Sequence, residues 1–316
     1  MGDPAGVGPE VLLKALAVIA SPPRFFGGRS NLTLIGDVGY LRSLSRRLRL
    51  TLPWEKFRLL DLANVPQGLK IGRMHPSSGR AAYQYLTEAT RLLQQGDGEA
   101  FVTAPVSKEA VHRAGIDFKG HTEYLGLAFH CQVVMMLVTG RFRVSLVTTH
   151  LGLAEVSRRL KRADLVRVLK MTKEALVSDF GIPKPRIGLA ALNPHAGEGG
   201  LFGKEEETIL RPAVRSFKAS AVRPELVEGP FPADSLIKDA AQGKYDSVVA
   251  LYHDQALIPV KLIGWEQAVN VTLGLPFIRT SPVHGTAFDI AGKGRADPRS
   301  METAIRLALQ LARRRA

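Results

Sequence analysis

Short runs of apolar and β-branched residues alternate along the chain with longer stretches whose apolar positions recur every three or four residues. The short runs predict strands at 32–35, 100–103, 133–138, 144–148, 187–192, 247–251 and 268–272. The longer ones predict helices, clearest at 9–18, 80–93, 163–178 and 301–312. Strand and helix in alternation describe a largely parallel sheet covered by helices, so the chain reads as an α/β protein. Pro9 falls in the first turn of the first helix, where its missing amide costs little because an amide there has no helical partner. A strand ahead of that helix is missing, since the glycine-rich turn from Gly2 to Gly8 opens the sequence. Either the start is truncated or another segment fills that place in the sheet.

Polar residues gather where the predicted strands end. The run at 144–148 leads into Thr149 and His150, the run at 187–192 into Asn193, Pro194 and His195, and the run at 247–251 into Tyr252, His253 and Asp254. Open α/β sheets bind ligands beyond the carboxyl ends of their strands. A lone histidine there is ordinarily structural, but three delivered to one edge point to a divalent metal with open positions for substrate oxygens. No short local zinc motif is present, so such a site has to be assembled by the fold.

Other polar motifs are less decisive. In Gly120-His121-Thr122-Glu123-Tyr124, Thr122 could cap a helix, or free amides could hold an anion. His75, His112 and His130 carry no assignment. The segment 193–206 is rich in glycine and could approach a ligand closely, but Glu205 follows Lys204 where a Walker A motif needs Ser or Thr. There is no Gly-x-Gly-x-x-Gly either, so a dinucleotide has to bind in some other way.

Composition narrows the classes. At 316 residues two lobes are the expectation. No apolar run approaches the roughly 18 residues a membrane span needs. A single cysteine, Cys131, rules out an intrachain disulfide, and the N-terminus does not read as a secretory signal, so a cytoplasmic protein is expected. The formal charge of +14 comes largely from clusters at Arg42, Arg46, Arg47 and Arg49, at Arg158, Arg159, Lys161 and Arg162, and at 313–315. No aromatic residues interleave these clusters, so they read as solvated helix faces, and nucleic-acid binding is a distant alternative.

Six blocks then carry a likeness through most of the chain: Gly2-Asp-Pro-Ala-Gly-Val-Gly-Pro-Glu10, Val102-Thr-Ala-Pro-Val-Ser-Lys108, Leu192-Asn-Pro-His-Ala-Gly-Glu-Gly-Gly200, Gly229-Pro-Phe-Pro-Ala-Asp-Ser235, Tyr252-His-Asp-Gln255 and Asn270-Val-Thr-Leu-Gly-Leu-Pro-Phe-Ile-Arg-Thr-Ser281. With 120–125 they resemble the 4-hydroxythreonine-4-phosphate dehydrogenase family. That resemblance implies a two-lobed α/β/α fold of the isocitrate/isopropylmalate dehydrogenase type, with the active site in the interlobe cleft. The lobes implied are 1–112 with 255–316 for the cofactor and 113–254 for the metal ligands and dimer interface, in a homodimer whose subunits complete each other's sites.

The resemblance implies that His150, His195 and His253 bind one divalent ion, such as zinc, cobalt, manganese or magnesium. It gives His121, Thr122, Lys261, Asn270 and Arg279 to a phosphorylated substrate, a set rich in cationic and N–H donors that suit phosphate and carboxylate. Lys261 and Asp234 are the candidate catalytic groups, Asp234 being alternatively the N-cap of the helix that follows. The segment from His284 to Pro298 is similar to the adenosine-binding loop of isopropylmalate and isocitrate dehydrogenases, which places Gly285, Thr286 and Asp289 at the cofactor. A carboxylate at 289 favours NAD over NADP. The activity implied is metal-assisted oxidation of a hydroxyl by NAD, with decarboxylation of the resulting β-keto acid. Relatives acting on four-carbon phosphorylated sugar acids or on a cis-dihydrodiol dicarboxylate share these motifs. Two departures stand out: the absent first strand and an unfamiliar stretch at 219–228.

Overall fold

The computed structural model describes residues 1–20, 32–220 and 227–315, so most of the unfamiliar 219–228 stretch lies outside the described residues. The strands are β1 (Leu32–Gly36), β2 (Phe57–Asp61), β3 (Ala100–Val102), β4 (Val134–Thr139), β5 (Phe142–Leu146), β6 (Ile187–Ala190), β7 (Val227–Phe231), β8 (Ser247–Ala250), β9 (Val269–Leu273) and β10 (Ile278–Pro282). The helices are α1 (Gly8–Ala20), α2 (Val38–Arg47), α3 (Pro76–Gln94), α4 (Lys108–Arg113), α5 (His121–Ala128), α6 (Leu153–Arg159), α7 (Arg162–Ser178), α8 (Arg211–Ser220), α9 (Ala233–Ala241), α10 (His253–Gly264) and α11 (Arg299–Arg315). None of the helices described is long and apolar enough to cross a membrane.

Two compact units emerge, 1–131 with 275–310 and 132–274 with 311–316. Both breaks fall later than the expected 112/113 and 254/255. Local packing explains the shift: Tyr124 of α5 packs edge-on against Tyr83 of α3, and β9 pairs with β4 over five residues.

In the first unit, β1 and β2 pair in parallel around α2. Asp37 caps α2, its Oδ1 accepting from the Tyr40 amide at 2.8 Å, which pins the chain as it leaves β1. The apolar stripe of α1, with Val11, Leu16 and Ile19, is buried with Leu34, Leu41, Leu44, Phe57, Met301 and Ile305. β3 pairs in parallel with β10. The opening turn is held by the Asp3 amide donating to the Pro105 carbonyl at 2.9 Å and the Val7 amide donating to that of Thr286 at 2.8 Å.

In the second unit the strand order is β9-β4-β5-β8-β6-β7. β5, β8, β6 and β7 are parallel, as expected, but β4 runs antiparallel to both β5 and β9. The cause is a tight hairpin at Thr139-Gly140-Arg141, where Gly140 takes φ 56°, a conformation that costs glycine little. The basic clusters lie on exposed faces, Arg158 pairing with Glu155 at 3.0 Å.

Gly79 of α3 lets α4 approach closely, since a Cβ there would sit 2.2 Å from the Ala110 carbonyl carbon of α4. On an open helix face Gly→Ala stabilises by about 1 kcal/mol. Here Gly79→Ala is expected to cost roughly 2–3 kcal/mol through overpacking, read as a lower urea midpoint with an unchanged m-value.

Candidate functional site

β5 and β8 lie side by side and parallel, so their carboxyl ends emerge together. Pairing persists past the strands, because the Thr148 amide and hydroxyl both donate to the Leu251 carbonyl, at 3.1 and 2.7 Å. Buried Gln255 ties the neighbouring ends: its Oε1 accepts from the Leu251 amide at 2.7 Å and its Nε2 donates to the Ala191 carbonyl at 2.8 Å. The His150 and His253 rings stand with centroids 6.1 Å apart, on a cleft of about 280 Å³ also lined by Leu151, Leu153, Val156 and Tyr252. The Nδ1 of His253 is 2.6 Å from Asp254 Oδ1. A carboxylate at Nδ1 favours the tautomer whose Nε2 carries a lone pair, the form a metal requires.

His195 is placed differently. It lies beyond β6 in a run of left-handed backbone, with its ring beside Phe202 at 6.1 Å between centroids. Among the described residues no group of three or more His, Cys, Asp or Glu could hold a metal ion. The structure thus brings two of the three expected imidazoles together within one chain and leaves the third apart. The donor set of the pair suits a divalent ion but is incomplete without another ligand.

The remaining candidates of this unit occupy separate elements. Asn270 on β9 has a buried Oδ1 with no hydrogen-bond partner among the described residues, an arrangement a ligand N–H or O–H would satisfy. Lys261 on α10 holds its ammonium 4.7 Å from the Trp265 ring centroid. Asp234 is exposed in the first turn of α9, where a negative charge suits the helix dipole. It is not the N-cap, which is Pro232 with no side-chain bond.

The first unit assembles positive charge around α5. Arg279, on β10 and 3% exposed, donates from Nη2 to Thr103 Oγ1 at 2.6 Å. Burial lowers its pKa to about 10, partly opposed by Glu123, so it remains cationic at neutral pH. His121 is the first residue of α5, and burial, Arg279, the chain's amino terminus and Lys108 push its pKa well below the ordinary value. The helix is not capped by Thr122, as one reading expected; the cap position is Gly120, with φ 149° and no side chain, and Thr122 sits one residue inside the helix. A Cβ on Gly120 would fall 2.7 Å from Glu123 Oε2 and 3.3 Å from Lys108 Nζ, so the glycine makes room for both. Lys108 is therefore part of this cluster, although its motif had suggested no role. Only its position at the end of the Val102–Lys108 block hinted at one.

Gly285, Thr286 and Asp289 lie in a turn-rich segment braced by the first helix. Buried Glu10 accepts from the Ala296 amide at 2.9 Å, and Lys14 donates to Glu10 at 2.9 Å and to the Gly294 and Ala296 carbonyls at 2.9 and 2.7 Å. Asp289 keeps an exposed carboxylate while its carbonyl accepts from Lys293 at 2.7 Å.

The depressed pKa of His121 has a pH signature. Below the ordinary value of 6.5 the unfolded chain takes up a proton that folded His121 refuses, so the unfolded state binds more protons and stability falls with falling pH. Urea titrations between about pH 7.5 and about pH 5 are expected to show that loss, and His121→Gln should flatten it.

Comparison with known proteins identifies the family of the chain. The chain is 44% identical over 331 residues to the D-threonate 4-phosphate dehydrogenase of Cupriavidus necator, covering 100% of this chain and 97% of the relative. It is 41% identical to the 4-hydroxythreonine-4-phosphate dehydrogenase of Desulforapulum autotrophicum, covering 98% and 93%. The crystal structure of 4-hydroxythreonine-4-phosphate dehydrogenase from Klebsiella pneumoniae superposes with a TM-score of 0.85 at 38% identity, covering 99% and 96%. Residues 31–308 match the family described as pyridoxal phosphate biosynthetic protein PdxA, and the chain belongs to that family.

Proposed function

We propose that the protein is an NAD-dependent, metal-assisted dehydrogenase that oxidises 4-phosphohydroxy-L-threonine at its secondary hydroxyl, in pyridoxine biosynthesis. The product is a β-keto acid that loses carbon dioxide to give 3-amino-1-hydroxyacetone 1-phosphate. The observation that carries this reading is the His150–His253 pair in an open cleft, with Asp254 orienting one ring. When bound, the divalent ion supplies a Lewis acid and NAD a hydride acceptor.

The chain's own residues have separable tasks. Arg279, Lys108, His121 and Thr122 hold the phosphate; a buried guanidinium and a neutral imidazole give it fixed donors rather than mobile solvent. Asn270 accepts from a substrate N–H or O–H through its buried oxygen. Lys261 and Asp234 exchange the proton of the reacting hydroxyl. Gly285, Thr286 and Asp289 receive the adenosine end of NAD on the loop that Glu10 and Lys14 brace.

A second substrate has specific support, because a relative 44% identical to the chain is named for D-threonate 4-phosphate. The two acids share the phosphate, the reacting hydroxyl and the carboxylate, and differ in an amine or hydroxyl at C2.

We assign the third metal ligand, His195, to a second copy of the chain, which makes the protein a homodimer with shared sites, and we read it as cytoplasmic from its single cysteine. Supporting the dimer, large apolar side chains face solvent in the segments that follow the three histidines: Leu153 in the cleft itself at 71%, Leu201 after His195 at 74% and Leu262 further along α10 at 82%. Exposure on that scale suits an interface.

NAD reduction with each acid, alongside metal analysis of the purified protein, tests the activity. His253→Ala is expected to lose metal and lower turnover at least about 100-fold. His195→Ala and His253→Ala proteins, each inactive, should recover activity when unfolded and refolded together, because one site of the mixed dimer has all three imidazoles. Normal metal content in His253→Ala would sink the metal assignment, and failure of mixing with a dimer present would sink the shared site.

A further inference from the structure

From His195 to Gly200 every residue has positive φ: 50°, 53°, 81°, 40°, 65° and 98°. Three of these, His195, Ala196 and Glu198, carry a Cβ, and each pays about 1–2 kcal/mol for left-handed backbone. A run of this kind does not persist on its own, so something must hold it.

Glu206 grips the chain just ahead of it, at Leu192 and Asn193. Its side chain is buried, the residue being 1% exposed, and it opens a π-helical turn (Glu206–Leu210) that runs into α8. Oε1 accepts from the backbone amides of Leu192 and Asn193, both at 2.9 Å, and Oε2 accepts from Asn193 Nδ2 at 2.9 Å. The same Nδ2 reaches Glu205 Oε2 at 2.8 Å, and Glu205 Oε1 accepts from the Ser157 hydroxyl at 2.5 Å. The glycines of the loop serve this cage. A Cβ on Gly197 would lie 2.7 Å from Glu206 Oε2, and one on Gly203 would lie 2.4 Å from Asn193 Nδ2. Close approach, the reason the sequence suggested for so many glycines, is here approach to the chain's own carboxylates.

A buried carboxylate costs several kcal/mol unless its lone pairs are filled, and a π-helical turn recurs at functional positions. Both are spent on Leu192 and Asn193, with only Pro194 between them and His195, and not on a neighbouring element of the core. We propose that Glu206 is a positioning residue: by clamping Leu192 and Asn193 it fixes the left-handed run and thereby sets where the His195 imidazole is presented to a divalent ion. The inference rests on the reading of His195 as a metal ligand.

Glu206→Gln keeps the shape but replaces one oxygen with a donor that faces another donor. The test loads wild type, Glu206→Gln, His195→Ala and Glu207→Gln with cobalt(II), measures affinity by competition with a chromophoric chelator, and records the visible spectrum. Glu207 pairs with Arg211 at 2.7 Å on the exposed side of the same segment and serves as the control. Glu206→Gln is expected to bind cobalt about 10–100-fold more weakly, with an altered spectrum, while Glu207→Gln matches wild type. If Glu206→Gln is unfolded by circular dichroism, Asn193→Ala, which removes the bridging amide, is measured in its place with the same expectation. Wild-type affinity and spectrum in the folded variant, with His195→Ala weakened, would overturn the role of Glu206 alone. Wild-type behaviour of His195→Ala would instead overturn the ligand reading beneath it.

Discussion

Parallel pairing of β5, β8 and β6 is the constraint on which the second unit's chemistry depends. Parallel strands end at the same edge, and the chain must leave that edge through loops, where polar side chains are tolerated and backbone groups seek partners. Here the partners are internal. Thr148 extends the β5–β8 pairing, and Gln255 stitches the β8 end to the β6 end, so His150 and His253 emerge from a braced rim. The antiparallel β4 lies on the other side of β5, joined to it by a hairpin and paired in turn with β9, which leaves the parallel group to carry the polar edge.

The first unit solves a different electrostatic problem. Burying Arg279 is costly, and the Thr103 hydroxyl and the Glu123 charge only partly offset that cost, which is why its pKa falls to about 10. The same burial and the same guanidinium keep His121 neutral. Arg279 and Lys108 both act on His121 at the start of α5, where the free amides of the helix add to the positive field. Gly120 is the residue that lets Lys108 and Glu123 come this close to the helix start.

The strands the sequence pattern revealed are those with buried, apolar interiors, such as β6, β8 and β9. Those it concealed have a physical reason for being hidden. β10 contains Arg279, Thr280 and Ser281, all buried and all polar, so no apolar run marks it. β7 is interrupted by Gly229-Pro230 at the sheet edge, and β2 ends in charged Asp61. The hairpin at Gly140 was invisible as a reversal because its two strands read as separate elements of a parallel sheet.

Three histidines following three strands could be read from residue order, since a strand's end and the polar residue after it are local properties. Arg279 and Asn270 were singled out only by the family resemblance, whereas the glycine-rich loop was legible from its residues. Which imidazoles stand together was not, because that depends on strand order: β8 lies between β5 and β6, and the loop after β6 turns left-handed around Glu206. Left-handed backbone in His195, Ala196 and Glu198 leaves no mark in a hydrophobic pattern. The Glu206 carboxylate, several residues downstream, grips Leu192 and Asn193 just ahead of that run, and only the folded chain brings it to the amides it holds.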